Sequence, residues 1–412
     1  MKVSTRRHGV LGDLTGSVAD LGVMVPLATA LVLVNGLDAG AVFLWAGLLA
    51  LASGAFFGIP FPVQPLKALT AVAVAQQLAP GVIHAAGIEM AFFLLLLAAG
   101  GIADRIARVF TKPIVRALQL GVGVLLVKTA VTLISSPPDV FRGTPVAPWP
   151  VVLAIGAFAC VWWSARTHHH VLALVMLVAG TGLVWGITAP RLHAPALSLS
   201  SIDLPSGGDF ATALFLLVVP QLPLTFGNAV VAVGDVANGA VGQRAKRVRP
   251  SRVALSTGIG NLASGMFGGM PMCHGAGGLT AHVRLGARTG RMNLILGGAF
   301  VVLGLFFAGQ IPVILGSLPV WVLAAFLAYA GIRHAWLVAD LEGASLIVAV
   351  VAGAAGAYLG NLAWTLAIGL SYQTGRRAWR ARNASRADVR GHGSRLRVAT
   401  AGQPYVIENG CL

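Results

Sequence analysis

The chain has 412 residues, 57% of them hydrophobic and only 10% charged, whereas a soluble domain has about 25% charged residues. This composition excludes soluble enzymes, fibrous proteins and disulfide scaffolds. The three cysteines have no C-x-x-C spacing, so neither a disulfide framework nor a metal site is predicted. The net charge of +16 would suggest nucleic acid in a soluble protein. Here the positive-inside rule explains it better, and no nucleic-acid partner is predicted.

The apolar stretches predict an all-α polytopic membrane protein, because roughly 20 helical residues cross a bilayer core of about 30 Å. About fourteen spans can be placed, at 16–36, 41–58, 62–78, 87–103, 114–134, 149–165, 170–187, 210–232, 252–268, 271–283, 293–309, 311–331, 343–358 and 359–374. Most Lys and Arg residues lie between or beyond these spans, in the N-terminus, 104–116, 244–252, 284–291 and the tail after 375. Basic loops stay in the cytoplasm, so both termini are predicted to be cytoplasmic.

The two halves of the chain show a weak internal repeat. Pro26 and Asp38 recur as Pro223 and Asp235 at one common offset, and Gly58-Ile-Pro resembles Gly269-Met-Pro further on. Seven predicted spans separate the halves. Because seven is odd, the second half enters the membrane from the opposite side. Inverted repeats of this kind are typical of secondary transporters, which predicts a 7+7 arrangement.

Two segments at corresponding places in the halves cannot be helical throughout. Residues 58–67 contain three prolines, and residues 268–278 are rich in glycine. Proline removes a backbone donor, and glycine costs a helix about 1 kcal/mol per residue. Irregular backbone at membrane depth is tolerated only where it is buried or lines a cavity. Each segment is therefore predicted to be an extended entry followed by a half-helix, over 68–75 and 279–283, that begins near the bilayer midplane.

Such half-helices predict an anion site, because each N-terminus carries roughly +0.5 charge and free N–H groups. Lys67 would add a full charge, and an intramembrane lysine favours a functional site. The sum of about +2 matches a doubly charged oxyanion. Alternatively, Lys67 reaches the interface or pairs with Asp20 or Asp235. Gln64 precedes the first half-helix and either donates to the oxyanion or caps a turn.

Three polar residues inside the predicted span 210–232 share one helix face, since Gln221, Thr225 and Asn228 are spaced four and three apart. A polar face within an apolar helix predicts a lined cavity. Hydrogen bonding between helices is the alternative.

The second half-helix also begins among polar groups. Cys273 and His274 stand at its entry, and His274 either donates to the anion or bonds the local backbone. No further ligands support a metal or redox role for this pair. Glycines would let backbone N–H groups approach the substrate closely; they are Gly275, Gly277 and Gly278. Asp20 and Asp235 are candidates for proton coupling.

Several of these segments resemble the signature segments of the molybdate transporter family, a branch of the sulfate permease superfamily. They are PVQPLK (62–67), PQLPLTFGNAVVAVGD (220–235) and MPMCHGAGGLTAHVRLGAR (270–288), and GDLTGSVADLGVMVPLATAL (12–31) is similar to that family's first span. The resemblance runs from about residue 12 to 375. It implies a fourteen-helix 7+7 repeat with a transport core of spans 1–4 and 8–11 and a gate of spans 5–7 and 12–14. The core would slide as an elevator.

The resulting domain organisation follows the chain. It consists of a cytoplasmic N-terminus (1–15), first-repeat spans 1–5 with the gate beginning at span 5 (16–134), gate spans 6–7 (149–187), second-repeat core spans 8–11 (210–309), gate spans 12–14 (311–374) and a basic cytoplasmic tail (375–412).

The sequence thus predicts a secondary-active molybdate transporter of the cell membrane, with no cofactor and no covalent chemistry. Its partners would be the oxyanion and the lipid bilayer, and a homodimer is left open. Sulfate or another oxyanion is the alternative substrate, and an anion channel is the alternative class. A nucleobase transporter would need a carboxylate at the half-helices. An intramembrane enzyme would need a nucleophile–base pair, and Ser53, Ser264 and His274 have no evident partners for one.

Overall fold

The computed structural model describes residues 10–17, 21–99, 111–137, 150–167, 171–189, 194, 196–197 and 204–389. Within these ranges the chain is mostly helical. The helices before residue 200 are α1 (Val10–Ser17), α2 (Leu21–Leu33), α3 (Ala39–Phe57), α4 (Lys67–Ala75), α5 (Pro80–Ala99), α6 (Lys112–Ser135), α7 (Pro150–Thr167) and α8 (Val171–Thr188).

The helices after residue 200 are α9 (Gly207–Ala213), α10 (Val219–Leu224), α11 (Ala232–Val241), α12 (Pro250–Met266), α13 (Ala276–Arg284), α14 (Arg291–Phe306), α15 (Ile311–Gly316), α16 (Val320–Trp336), α17 (Gly343–Tyr358) and α18 (Ala363–Val389). Two π-helical turns (Leu214–Val218 and Thr225–Val231) flank α10, and 3-10 turns follow α11 (Gly242–Arg247) and α16 (Leu337–Asp340). Two short strands complete the described fold, β1 (Gln64–Pro65) and β2 (Met272–Cys273).

Five helical stretches in the described part of the chain are long and apolar enough to cross a membrane. They are Ala39–Phe57, Pro80–Ala99, Lys112–Ser135, Gly207–Arg247 and Val320–Asp340. Shorter apolar helices accompany them, among them Arg291–Phe306 and Gly343–Tyr358. The predicted helical, polytopic membrane protein is confirmed at this level.

Helices α3 and α14 pack together through matched glycines. A Cβ atom added to Gly47 would lie 2.7 Å from the carbonyl oxygen of Gly297, and one added to Gly297 would lie 2.8 Å from the carbonyl oxygen of Gly47. The same relation recurs at both ends of the contact, where Gly40 faces Gly304 and Gly54 faces Gly290. Small residues allow membrane helices to approach closely. This contact therefore joins an early helix of the chain to a late one.

The other main contacts also join distant parts of the sequence. Helix α5 packs against α12, where a Cβ atom on Gly87 would lie 3.2 Å from the Cα atom of Gly265. Helix α6 packs against α16 and α17, and α7 packs against α16. Two sets of helices result. One contains α3, α5, α12 and α14, and the other contains α6, α7, α16 and α17.

Several helix boundaries differ from those predicted. The stretch 311–331 forms two helices, α15 and α16, because Pro319 cannot continue the first and instead stands as the N-cap of the second. Helix α5 begins at Pro80, before the predicted residue 87, since proline suits a first helical position. The stretch 343–358 has the predicted bounds.

Both ends of the described chain contain more helix than predicted. Residues 10–17 form α1, although residues 1–15 were predicted only as a terminal segment. Helix α18 runs to Val389 and so includes the first part of the basic tail predicted from residue 375. Alanine and arginine, both strong helix formers, dominate that extension.

Candidate anion-binding site

The two irregular segments predicted from the sequence lie side by side. Strand β1 pairs antiparallel with β2, with Gln64 opposite Cys273 and Pro65 opposite Met272. The pairing continues into the first half-helix, because the N–H of Leu66 donates to the carbonyl oxygen of Pro271 (3.0 Å). Helices α4 and α13 begin just beyond this ladder, at Lys67 and Ala276. The ladder therefore holds two helix N-termini from distant parts of the sequence within a few residues of each other.

The first turn of α4 keeps two N–H groups available. Its first intrahelical bond runs from the Thr70 N–H to the Leu66 carbonyl (2.8 Å). The Leu69 N–H donates instead to Oε1 of Gln221 (2.9 Å) on α10. Among the described residues, the N–H groups of Lys67 and Ala68 have no acceptor. Since unpaired donors at a helix start attract anions, these two N–H groups are suited to an oxyanion.

The first turn of α13 keeps three N–H groups available. Gly275 is its N-cap, in an extended conformation (φ −78°, ψ 134°) and without a side-chain cap. The first intrahelical bond runs from the Leu279 N–H to the Gly275 carbonyl (3.2 Å). Within the described part of the chain, the N–H groups of residues 276–278 find no acceptor, and Gly277 and Gly278 leave the backbone unobstructed.

Two buried asparagines hold the extended segments in place. Asn293 of α14 accepts from the Phe61 N–H (2.8 Å) and donates to the Phe61 carbonyl (2.6 Å). Asn261 of α12 does the same for Met272, accepting from its N–H (2.8 Å) and donating to its carbonyl (2.7 Å). Each amide replaces both hydrogen bonds that a helix would have given those backbone groups. We call this pair the amide clamps.

His274 connects the two segments through both nitrogens of its ring. Nδ1 lies 2.8 Å from the carbonyl oxygen of Pro62 and must donate to it, because a carbonyl only accepts. In the neutral ring Nε2 then accepts from the hydroxyl of Ser256, at 3.0 Å. The ring is fully buried and lies 4.7 Å from the ring of Phe61, between centroids. His274 is therefore built into the scaffold of the site, and both of its ring nitrogens are engaged by protein.

Lys67 is the first residue of α4 and is half-buried. No carboxylate among the described side chains lies within 4 Å of its ammonium group. The ammonium is near enough to His334 of α16 for an electrostatic interaction. Lys67 thus stands at the start of the half-helix and faces the second set of helices defined above.

The remaining predicted residues are distributed as follows. Gln64 and Cys273 are buried and lie opposite each other in the ladder. Thr225 is buried, and its hydroxyl accepts from Nε2 of Gln221 (2.8 Å). The structure places the backbones of Asn228 and Asp235 in the second π-helical turn and in α11, but their side chains lie outside what it describes. Asp20 lies outside the described residues altogether.

One carboxylate near the end of α13, Asp13, was not proposed as a functional residue from the sequence. Asp13 of α1 accepts hydrogen bonds from the N–H groups of Arg288 (2.8 Å) and Thr289 (3.0 Å), and from the Thr289 hydroxyl. Burial alone would raise the pKa of Asp13, but these hydrogen bonds outweigh it and hold the pKa below its ordinary value. The bonds fix α1 to the loop after α13, together with a bond between His282 and the Gly16 carbonyl (2.7 Å).

Comparison with known sequences identifies relatives over most of the chain. A family model described as a molybdate transporter of MFS superfamily matches residues 12–126 and 213–333. Molybdate transporter 2 of Arabidopsis thaliana is 29% identical over 380 residues, which cover 82% of this chain and 80% of that protein. Molybdate transporter 1 of Chlamydomonas reinhardtii is 30% identical over 438 residues, which cover 79% of this chain and 83% of that protein.

Solved structures share the fold at low sequence identity. The transmembrane domain of a cyanobacterium bicarbonate transporter, BicA, matches with a TM-score of 0.64 at 18% identity, covering 89% of this chain and 98% of that chain. The murine Slc26a9 anion transporter in the inward-facing state matches with a TM-score of 0.64 at 12% identity, covering 92% and 70%.

These relatives are named as transporters, which agrees with the prediction that the chain is not an enzyme. The family model covers more than half of the chain and includes both extended segments with the helices that follow them. The resemblance predicted from the signature segments is thereby confirmed: the chain belongs to the molybdate transporter family.

Proposed function

We propose that the protein is a secondary-active transporter that carries molybdate across the cell membrane and binds it between the N-termini of α4 and α13. One observation carries this proposal. The ladder between β1 and β2 brings the two helix starts together, and at both of them N–H groups remain that find no acceptor among the described residues. The names of the molybdate transporters among its relatives favour this oxyanion.

The charges at this place suit a dianion. Each helix N-terminus contributes roughly +0.5 charge, and the Lys67 ammonium adds a full charge, so the total is about +2. The N–H donors would replace part of the hydration shell of a tetrahedral oxyanion. Such fixed dipoles stabilise an anion more strongly where water is excluded. No step requires a metal or a covalent intermediate.

The helix contacts support a division into a core and a gate. We assign α3, α5, α12 and α14 to the core (predicted spans 1–4 and 8–11), and α6, α7, α16 and α17 to the gate (predicted spans 5–7 and 12–14). Helix α4 packs against α6, so the proposed site lies on the boundary between the two sets. In an elevator that moves a 7+7 inverted-repeat core past a gate, the substrate has to be held at this boundary.

Orientation and coupling complete the proposal. Both termini would face the cytoplasm, as the basic loops favour. Asp20 and Asp235 would carry the coupling proton, and a homodimer would be the assembled form. Uptake that fails to respond to an imposed pH gradient, in liposomes containing the purified protein, would remove the two aspartates from this role.

Transport of labelled molybdate into liposomes tests the function, with Lys67→Met as the decisive variant. Two unit charges 4 Å apart interact by about 4 kcal/mol at an effective dielectric constant of 20. We therefore expect uptake at low molybdate concentration to fall roughly tenfold or more. Lys128→Met is the matched control, because Lys128 is an exposed lysine of α6 outside the site. Equal uptake by the two variants would remove Lys67 from the site.

The same assay separates the alternatives. A carrier saturates with rising molybdate concentration, whereas flux that stays linear would indicate an anion channel. Tungstate, which has the charge and shape of molybdate, should compete. Inhibition by equimolar sulfate as strong as that by equimolar tungstate would instead assign the protein to oxyanions in general.

A further inference from the structure

A cleft of about 260 Å³ lies between α6, α17 and α18, apart from the proposed anion site. Its inner wall is apolar and includes Ile114, Ala117, Val348 and Ala349. Gly369 also lines the cleft and lets α18 approach α6 closely, because a Cβ atom at that position would lie 3.1 Å from Cγ1 of Ile114.

The mouth of the cleft is polar and basic. Arg376 and Arg377 of α18 line it together with Tyr372. Among the described residues that line the cleft, none is Asp or Glu. The cleft thus combines an apolar interior with two guanidinium groups at its entrance.

The walls of the cleft are fixed to each other. The Thr111 hydroxyl donates to Oε1 of Gln373 (2.8 Å), which joins the start of α6 to α18. Outside the lining, the buried Arg116 of α6 binds both carboxylate oxygens of Asp340, which lies three residues before α17 begins. The shape of the cleft is therefore part of the folded structure.

In the orientation proposed above, on which this inference rests, this mouth lies at the cytoplasmic headgroup level. Helix α6 begins within the basic stretch 104–116, and α18 continues past the cleft with further arginines at 380, 382 and 386. Trp379, one turn beyond the mouth, is 63% exposed. Exposed tryptophan beside arginine is typical of the membrane interface.

We propose that this cleft binds an anionic phospholipid of the cytoplasmic leaflet. The phosphate would lie against Arg376 and Arg377, whose guanidinium groups suit phosphate geometry, and an acyl chain would enter along Val348 and Ile114. Basic pockets between membrane helices on the cytoplasmic side are suited to such headgroups. A soluble phosphate would leave the apolar wall uncovered, so the lipid fits both parts of the cleft.

Native mass spectrometry of the purified full-length protein, titrated with phosphatidylglycerol or phosphatidylcholine, tests this proposal. We expect phosphatidylglycerol to remain bound preferentially and Arg376→Gln/Arg377→Gln to weaken its binding roughly thirtyfold, or about 2 kcal/mol at about 1 kcal/mol per arginine. The control is Arg382→Gln/Arg386→Gln, which removes the same charge from the same helix beyond the cleft. Equal losses in the two double variants would indicate diffuse attraction to the basic helix and overturn the proposal.

A second variant tests the apolar wall without changing the charge. Val348→Phe would fill the interior and should reduce phosphatidylglycerol binding while leaving the melting temperature in phosphatidylcholine unchanged. Inorganic phosphate at millimolar concentration should not displace the lipid. Full displacement by phosphate, or unchanged lipid binding in Val348→Phe, would contradict a lipid site.

Discussion

Replacing Asn293 by leucine tests whether the amide clamps hold the site in shape. The leucine side chain has the same number of heavy atoms and the same branching but neither donates nor accepts, so the N–H and the carbonyl of Phe61 would both lose their partner. Phe61 and Asn293 are 0% and 1% exposed, and water cannot replace the lost bonds without opening the fold.

The expected magnitude follows from these two groups. A buried backbone donor or acceptor left without a partner costs about 1–3 kcal/mol. The change should therefore destabilise the protein by roughly 2–6 kcal/mol, a large share of the roughly 5–15 kcal/mol that holds a typical domain folded. Asn293→Asp should not restore the stability, because an ionised carboxylate accepts from the Phe61 N–H but is repelled by the Phe61 carbonyl oxygen, and burial of its charge is costly.

Thermal unfolding in detergent and molybdate uptake in liposomes measure the effect together. Asn238→Leu is the control, since Asn238 is exposed and bonds only the Gly234 carbonyl of its own helix among the described residues. We expect the control to unfold within a degree or two of the wild type. An Asn293→Leu protein with normal uptake and an unchanged melting temperature would refute the role assigned to the clamps.

Three further predictions concern helix packing and buried charges. Gly297→Val should prevent stable folding, whereas Gly298→Val on the same helix should be tolerated, since a Cβ atom at Gly298 meets nothing within 4 Å; equal melting temperatures would contradict this. Asp13→Asn should lower the stability at pH 7 by roughly 1–3 kcal/mol. Folding lowers the pKa of Asp13, so the stability difference between the wild type and Asp13→Asn should shrink as the pH falls below 3.8. A stability difference that grows on acidification would contradict a lowered pKa. Arg116→Met should destabilise the protein by about 1–3 kcal/mol, because Arg116 is buried where it pairs with Asp340. Lys112 pairs with the same carboxylate but is exposed, so Lys112→Met should cost less than about 1 kcal/mol. Chemical unfolding of the two variants measures the difference.

Local rules of backbone chemistry predicted the irregular segments. Three prolines before residue 67 prevent regular helix, and the structure has β1 and the short helix α4 there. The second half-helix begins three residues earlier than predicted, at Ala276, because Gly277 and Gly278 lie in the first turn of α13. The same rules predicted the start of α4 to within one residue, at 68 where the structure has Lys67. The helix begins two residues after Pro65, the last proline of the segment.

The sequence did not indicate which distant groups satisfy the backbone of those segments. Asn261 and Asn293 look like ordinary polar residues within apolar helices, and only the fold brings them to Met272 and Phe61. The spacing of Gln221 and Thr225 predicted a shared face, but not that Gln221 would accept from the N–H of Leu69. Phe61 lies 232 residues from Asn293, and Leu69 lies 152 residues from Gln221. The choice of partners over such separations depends on packing, which the local sequence pattern does not reveal.

A structure of the protein determined with tungstate tests the central claim most directly, because tungstate has the charge and shape of molybdate and scatters strongly. The account predicts one tungstate ion between the first turns of α4 and α13, in hydrogen-bonding range of the N–H groups of Ala68 and Gly277. A fully occupied tungstate ion elsewhere in the membrane region, with the space between these helix starts empty, would contradict it.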